Sequence, residues 1–195
     1  MANPTQATLV RGLLFWSISF LAIPVAGYFG TFLVGRVDNL GSALLGGGIV
    51  GLLVGIAQSL ASRGRLFVRR WSAATAIGLS LGVAAGTFVV GYHTALADLA
   101  TAGAITGVIL GAAQAIALPT SARRRWTWIP LTAVLWPMAW TITALAGIKV
   151  DEQFIVFGAS GASVYTILVG GALYVLTRTP HTAAAAASAA VAVSR

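Results

Sequence analysis

The chain has 195 residues, of which 58% are hydrophobic and 8% are charged, and its mean hydropathy is +0.91. A water-soluble domain carries about 25% charged residues, so this composition excludes an ordinary soluble protein and indicates that lipid is part of the solvent. The absence of cysteine excludes disulfide bonds, thiolate metal ligands and iron–sulfur clusters. The net charge of +8 lies in short loops between apolar segments, which indicates membrane orientation rather than a nucleic-acid partner.

Six apolar segments dominate the chain. Residues 1–10 form a short polar lead, and six segments without a charged side chain follow it at roughly 12–34, 40–61, 71–92, 99–119, 126–147 and 154–177. A helix of about 20 residues crosses the ~30 Å hydrocarbon core of a bilayer. The sequence therefore predicts an all-α integral membrane protein, a six-helix bundle over residues 11–178, followed by an alanine-rich tail at 179–195.

The distribution of charge predicts the orientation of these helices. One set of loops and ends holds ten of the twelve basic residues: Arg11, Arg63, Arg65, Arg69, Arg70, Arg123, Arg124, Arg125, Arg178 and Arg195. The opposite loops hold Arg36, Lys149 and all four acidic residues. Because cytoplasmic loops carry an excess of Lys and Arg, we expect both termini in the cytoplasm and the protein in the cell membrane, specifically the bacterial inner membrane.

An internal repeat organises the helices into pairs. The segment Gly30-Thr-Phe-Leu-Val-Gly35 recurs 56 positions later as Gly86-Thr-Phe-Val-Val-Gly91. At the same offset Gly47, Gly51, Gly55 and Gln58 recur as Gly103, Gly107, Gly111 and Gln114. We predict three two-helix repeats, at about 11–66, 67–122 and 123–178, of which the third is degraded and lacks the glutamine. Each repeat crosses the membrane twice, so successive repeats have the same orientation around a pseudo-threefold axis along the membrane normal.

Rows of glycine mark the faces through which we expect the helices to pack. The spacing i, i+4 and i+8 places the glycines of a row on one stripe of a helix, where they allow a neighbouring backbone to approach. The second, third and fourth helices carry such rows: Gly47, Gly51 and Gly55; Gly78, Gly82 and Gly86; Gly103, Gly107 and Gly111.

Three prolines lie inside the predicted spans. Pro24 falls in the first span, and Pro130 and Pro137 fall in the fifth. A proline inside a helix removes a backbone hydrogen bond, so we expect kinks in the first and fifth helices.

Two kinds of polar feature are candidate sites. Gln58 and Gln114 end their glycine rows, where each amide either joins helices by a hydrogen bond or forms a ligand or water site between the two. The basic loops that carry tryptophan either set orientation and depth or recognise anionic lipid head groups. These loop residues are Arg69, Arg70, Trp71, Arg123, Arg124, Arg125 and Trp126, with Trp128 nearby.

The sequence offers little for catalysis. The spans contain no acidic residue, lysine or arginine, which argues against a proton pump or ion-coupled transport. His93 and His181 are the only imidazoles and cannot form a paired metal site on one helix, so we expect no metal and no cofactor. Ser160 lies in a Gly-Ala-Ser-Gly motif like that of rhomboid proteases, but no later helix supplies a histidine, so we interpret Ser160 as a packing residue. We therefore expect no enzymatic activity.

The recurring Gly-xxx-Gly-xx-Gln helix followed by a basic loop with tryptophan resembles a pattern in poorly characterised bacterial polytopic membrane proteins, over residues 11–177. The resemblance implies an architecture and no chemistry. We expect a non-enzymatic accessory or scaffold subunit that packs against membrane lipids and membrane-protein partners. The alternative is a transporter or channel for a small neutral solute. A transporter predicts a continuous polar cavity between the repeats, whereas a scaffold predicts a centre sealed by glycine.

Overall fold

The computed structural model describes residues 4–122, 124–148 and 159–177, and the side chains of these except 4–9 and 159–160. Every regular element in these residues is a helix. Helix α1 (Pro4–Ile18) continues through a 3₁₀ turn (Ser19–Leu21) into α2 (Ala22–Val34), and these form the first span. The other long helices are α3 (Leu40–Ala61), α4 (Val68–Val89), α5 (Leu96–Ala117), α6 (Trp128–Leu145) and α7 (Ala159–Leu176), with a 3₁₀ turn (Arg125–Thr127) before α6.

The predicted all-α, multi-pass architecture is confirmed. Five segments are long and apolar enough to cross a membrane: Val10–Val34, Leu40–Ala61, Val68–Val89, Leu96–Ala117 and Arg125–Leu145. The sixth apolar helix, Gly161–Leu176, is shorter. The start of the predicted sixth span, at 154–158, lies outside the described residues.

The prolines act differently in the two helices. Pro24 has no N–H to donate to the carbonyl of Phe20, and the 3₁₀ turn Ser19–Leu21 lies at that point. Pro137 lies inside α6, as expected. The expectation for Pro130 was wrong: this residue is the third of α6, within the first turn, where backbone N–H groups have no partner inside the α-helix.

The helices form a closed ring in chain order. Each of α3 to α6 packs mainly against the helix before it and the helix after it, and α7 returns to pack against α1. Large apolar side chains such as Leu52, Leu81 and Val108 are exposed on the outside of the ring. Because an exposed apolar face of this kind is stable in hydrocarbon and not in water, we assign the outer face to membrane lipid.

Glycines lie where neighbouring helices come closest. At the α3/α4 interface a Cβ atom on Gly51 would lie 2.5 Å from the Thr75 carbonyl oxygen. At the α5/α6 interface a Cβ atom on Gly107 would contact the Thr132 carbonyl oxygen. A Cβ atom would also come within 3.0 Å of atoms of the adjacent helix at Gly47, Gly55, Gly78, Gly82, Gly86, Gly103 and Gly111. The backbones therefore touch at all nine predicted packing positions.

The α3/α4 and α5/α6 interfaces use equivalent contacts. Gly51 faces Thr75 and Ala76, and Gly107 faces Thr132 and Ala133. The glycines are 56 positions apart and their partners are 57 positions apart. The two interfaces thus have the same geometry in successive helix pairs.

Candidate binding site: a central cavity

A cavity of about 450 Å³ lies inside the ring of helices. Residues from α2, α3, α4, α5, α6 and α7 line it. Its rim contains Arg36, Asp38, Tyr92 and His93, in the loops 35–39 and 90–95. We call this end of the ring the rim end, and the end with loops 62–67 and 118–124 the basic end. The cavity therefore opens away from the arginine-rich loops.

The wall of the cavity is mainly apolar. Val50, Val54, Leu79, Val83 and Leu110 are among its side chains. The Thr87 hydroxyl donates to the Val83 carbonyl oxygen at 2.7 Å, and the Thr143 hydroxyl donates to the Ala139 carbonyl oxygen at 3.0 Å. Among the described lining residues, only Arg36 and Asp38, both at the rim, are charged. The interior thus has no described charge to pair with an ion.

The floor of the cavity is polar and faces the basic end. Gln58, Thr75 and Gln114 form it, and the exposed fractions of their side chains are only 2% to 3%. The Trp71 indole Nε1 donates to Gln58 Oε1 at 3.0 Å, and the Trp128 indole Nε1 donates to Gln114 Oε1 at 2.9 Å. Gln114 Nε2 donates to Thr75 Oγ1 at 3.0 Å. The structure thus joins both predicted glutamines to a network that crosses three helix interfaces.

Beneath this floor the basic end is packed with aromatic and aliphatic side chains. The Trp71 and Trp128 rings meet edge to face, with centroids 5.8 Å apart. Trp16, Leu66, Leu118, Val169 and Leu173 belong to the same buried cluster. The cavity therefore ends at these side chains and does not pass through the protein in this structure.

Two tryptophans of the basic loops do not anchor the protein at the membrane interface. If these loops set the depth in the membrane, Trp71 and Trp128 should lie at the interface, but both side chains have an exposed fraction of 0%. The reason is that their indoles donate hydrogen bonds to Gln58 and Gln114 inside the ring. Trp126, with an exposed fraction of 55%, remains free to lie at the interface.

The arginines of the basic end surround the ring and do not enter the cavity. Arg69, Arg70 and Arg124 are exposed, and the Arg125 guanidinium lies 5.2 Å from the Trp126 ring centroid. Arg65 lies 3.9 Å from the ring centroid of Tyr174 on α7. Arg123 lies outside the described residues. Recognition of anionic head groups by these arginines stays a prediction.

Trp16 is a third buried tryptophan with a hydrogen-bonded indole, and its acceptor is not a glutamine. Trp16 Nε1 donates to the Thr166 carbonyl oxygen of α7 at 2.8 Å. The indole lies against Gly170, where a Cβ atom would contact Trp16 Cδ1. Gly170 is 56 positions after Gln114, so this glycine stands where the third repeat lacks its glutamine.

Sequence reasoning missed the partners of the glutamines. Trp71 follows Gln58 by 13 positions and Trp128 follows Gln114 by 14, a spacing that could have indicated the pairs. Nothing in the sequence indicated Thr75 as the acceptor for Gln114, because these residues are 39 positions apart. The described residues contain no group of three or more His, Asp or Glu side chains that could hold a metal ion.

No protein-family model, curated protein or solved structure matches the chain. The resemblance to bacterial polytopic membrane proteins therefore stays a prediction. What the protein does has to be inferred from the chemistry of its cavity.

Proposed function

We propose that the protein is a non-enzymatic transporter that admits a small uncharged solute into its central cavity through the rim end. The observation that carries this proposal is a cavity of about 450 Å³ that is lined by residues of α2 to α7 and reaches the loops of the rim end. Together with the positive-inside prediction for the basic loops, it implies that the rim faces the outside of the cell membrane.

The chemistry of the wall supports an uncharged solute. An ion that leaves water needs opposite charges or many polar partners to offset its lost hydration. The described interior offers no charged side chain below Arg36 and Asp38. A neutral molecule does not incur this cost and packs against the valine and leucine side chains of the wall.

The closed basic end supports a transporter rather than a permanently open channel. Trp71 and Trp128 fill the path below the floor, and each is tied by its indole N–H to a floor glutamine. Release on the cytoplasmic side would require these side chains to separate.

The glycine contacts give this ring its shape. We infer that the three helix pairs arose from a duplicated unit of about 56 residues and that glycine packing holds the ring together. The accessory-subunit hypothesis predicted a sealed centre, which differs from the cavity in this structure. An accessory role stays a prediction, since no described feature specifies a protein partner.

The cysteine-free sequence allows a direct test of solute access. Val83→Cys places a thiol on the cavity wall, and Leu81→Cys places one on the outer face of the same helix, where the leucine has an exposed fraction of 51%. We expect methyl methanethiosulfonate to modify Val83→Cys much faster in liposomes, because a thiol in lipid does not ionise. Equal, slow modification of both would contradict a solute-filled cavity.

Transport itself is tested by stopped-flow light scattering of proteoliposomes exposed to acetamide, propionamide or butyramide, which are small, uncharged and carry a carbonyl oxygen. Val83→Trp fills the cavity, and Leu81→Trp is the matched control on the outer face. We expect uptake with the native chain and Leu81→Trp, and loss of uptake with Val83→Trp. Rates equal to those of empty liposomes for all three solutes would favour the accessory role instead.

A further inference from the structure

The two indoles fix the orientation of both floor amides. The oxygen and nitrogen of a glutamine amide usually have to be assigned from their partners. A tryptophan indole only donates hydrogen bonds, so the amide atom facing Trp71 must be the oxygen of Gln58, and the atom facing Trp128 must be the oxygen of Gln114. The NH₂ group of each amide therefore points away from its tryptophan.

Each acceptor of the floor already holds one hydrogen bond. Both glutamine oxygens accept from indoles, and Thr75 Oγ1 accepts from Gln114 while its own hydroxyl donates to the Trp71 carbonyl oxygen at 2.8 Å. The amide N–H groups, by contrast, are mostly without a partner. Gln58 Nε2 has no hydrogen-bond acceptor in the part of the chain that the structure describes, and Gln114 Nε2 uses only one of its two hydrogens.

The wall next to the floor also contains an N–H donor without an acceptor. Trp136 lines the cavity, and its buried indole Nε1 has no hydrogen-bond partner among the described residues. Its ring packs edge to face on Tyr165, another lining residue, with centroids 4.9 Å apart. The deep part of the cavity thus contains several N–H donors without a full set of partners, and no described cation lies beside them.

We infer, given the proposed function, that the cavity binds a compact, uncharged, mainly apolar molecule through a hydrogen-bond acceptor, such as a carbonyl oxygen, placed on the amide donors of Gln58 and Gln114. A buried donor without a partner is costly, so a ligand that supplies an acceptor binds better than one of the same shape that does not. An alcohol ranks between them, because its oxygen accepts but its hydroxyl hydrogen has to share an acceptor that already holds a hydrogen bond. The apolar remainder of the ligand fills the valine and leucine wall.

Three probes of nearly the same shape separate these cases: acetophenone has a carbonyl, 1-phenylethanol has a hydroxyl, and ethylbenzene has neither. We would measure their dissociation constants for the purified full-length protein in nanodiscs, corrected for partitioning into empty nanodiscs. We expect acetophenone to bind about 5- to 10-fold more tightly than ethylbenzene, the effect of one net hydrogen bond. The infrared carbonyl band of bound acetophenone should also shift to lower frequency than in empty nanodiscs.

A double variant tests whether the floor is responsible. Gln58→Met combined with Trp71→Phe removes the donor and the indole that would otherwise lose its acceptor, which is less disruptive than either change alone. We expect this variant to lose most of the preference for acetophenone and most of the band shift. Trp16→Phe, at the α1/α7 interface, is the matched control and should keep both.

Equal affinities for the three probes, binding of none of them, or an unshifted carbonyl band in the native chain would each overturn the inference. A preference that survives in a folded double variant would do so too. If the double variant does not fold, the native ranking and band shift decide. Retained ranking without solute uptake in proteoliposomes would overturn the transport proposal only, whereas uptake with equal affinities would overturn only the acceptor preference.

Discussion

We call the α3/α4 and α5/α6 interfaces the glutamine seams and the α1/α7 interface the closing seam. Each contains a tryptophan indole that donates a hydrogen bond, but the acceptor differs. At α3/α4 and α5/α6, Trp71 and Trp128 donate to a glutamine side chain. At α1/α7, Trp16 donates to a backbone carbonyl. Each of these three indoles thus has an acceptor on the neighbouring helix, which supplies it from either a side chain or the backbone.

At position 170, a glutamine side chain and the Trp16 indole cannot both be present. Gly170 allows the Trp16 ring to lie directly on α7, and any side chain there would occupy the place of the indole. A glutamine at position 170 would therefore exclude the Trp16 contact that closes the ring. The interface that contains Trp16 thus differs structurally from the two interfaces that contain a glutamine.

The largest expected effect comes from forcing a glutamine seam apart. Gly51→Leu and Gly107→Leu each place a side chain into the backbone of the adjacent helix. We expect a loss of about 3 kcal/mol or more, the upper range for overpacking, and a low yield of folded protein. Gly171→Leu is the control, because a Cβ atom there has no atom within 4 Å. Size-exclusion chromatography in mild detergent gives the yield, and native yields for Gly51→Leu and Gly107→Leu would contradict glycine packing.

The closing seam should be sensitive at one of two adjacent glycines. Gly170→Ala pushes a methyl group into the Trp16 ring, whereas Gly171→Ala enters open space. We expect Gly170→Ala to destabilise the protein by about 2 kcal/mol and Gly171→Ala to be neutral or stabilising by up to about 1 kcal/mol through helix propensity. Thermal unfolding in detergent compares them. Equal midpoints would mean that Trp16 does not depend on Gly170.

The smallest effect compares the indoles themselves. Trp71→Phe and Trp128→Phe each leave a buried glutamine oxygen without its donor, which costs about 1 to 2 kcal/mol. Trp16→Phe should cost less than about 1 kcal/mol beyond the shared loss of packing, because the Thr166 carbonyl also accepts the bond of its own helix. Unfolding midpoints of the three variants give the order. A larger loss for Trp16→Phe than for the other two would reverse the comparison.

Hydropathy predicted the helices well and their boundaries less evenly. The predicted span 40–61 coincides with α3, because polar residues at 36–39 and 62–65 end it on both sides. The predicted span 71–92 is three residues late relative to α4. The helix begins before Arg69 and Arg70, whose exposed side chains lie at its end, and a search for uncharged segments excludes such residues.

The cavity and its floor lay beyond the sequence for a different reason. A tryptophan beside arginines is typical both of a membrane interface and of a buried core. For Trp71, the burial follows from its hydrogen bond to Gln58 on another helix, which the local sequence does not indicate. Likewise, the glycine rows specify close pairs of helices but not whether several pairs collapse on one another or form a ring. Both outcomes depend on contacts between distant parts of the chain.

The order of helices around the ring bears on how the protein is made. Neighbouring spans in space are neighbours in sequence except where α7 meets the first span, which consists of α1 and α2. Most interfaces can therefore form as successive hairpins leave the ribosome and enter the membrane. Only the last step joins the two ends of the chain. Until α7 has been inserted, the indole N–H of Trp16 lacks its acceptor, the Thr166 carbonyl oxygen, and the ring of helices is incomplete.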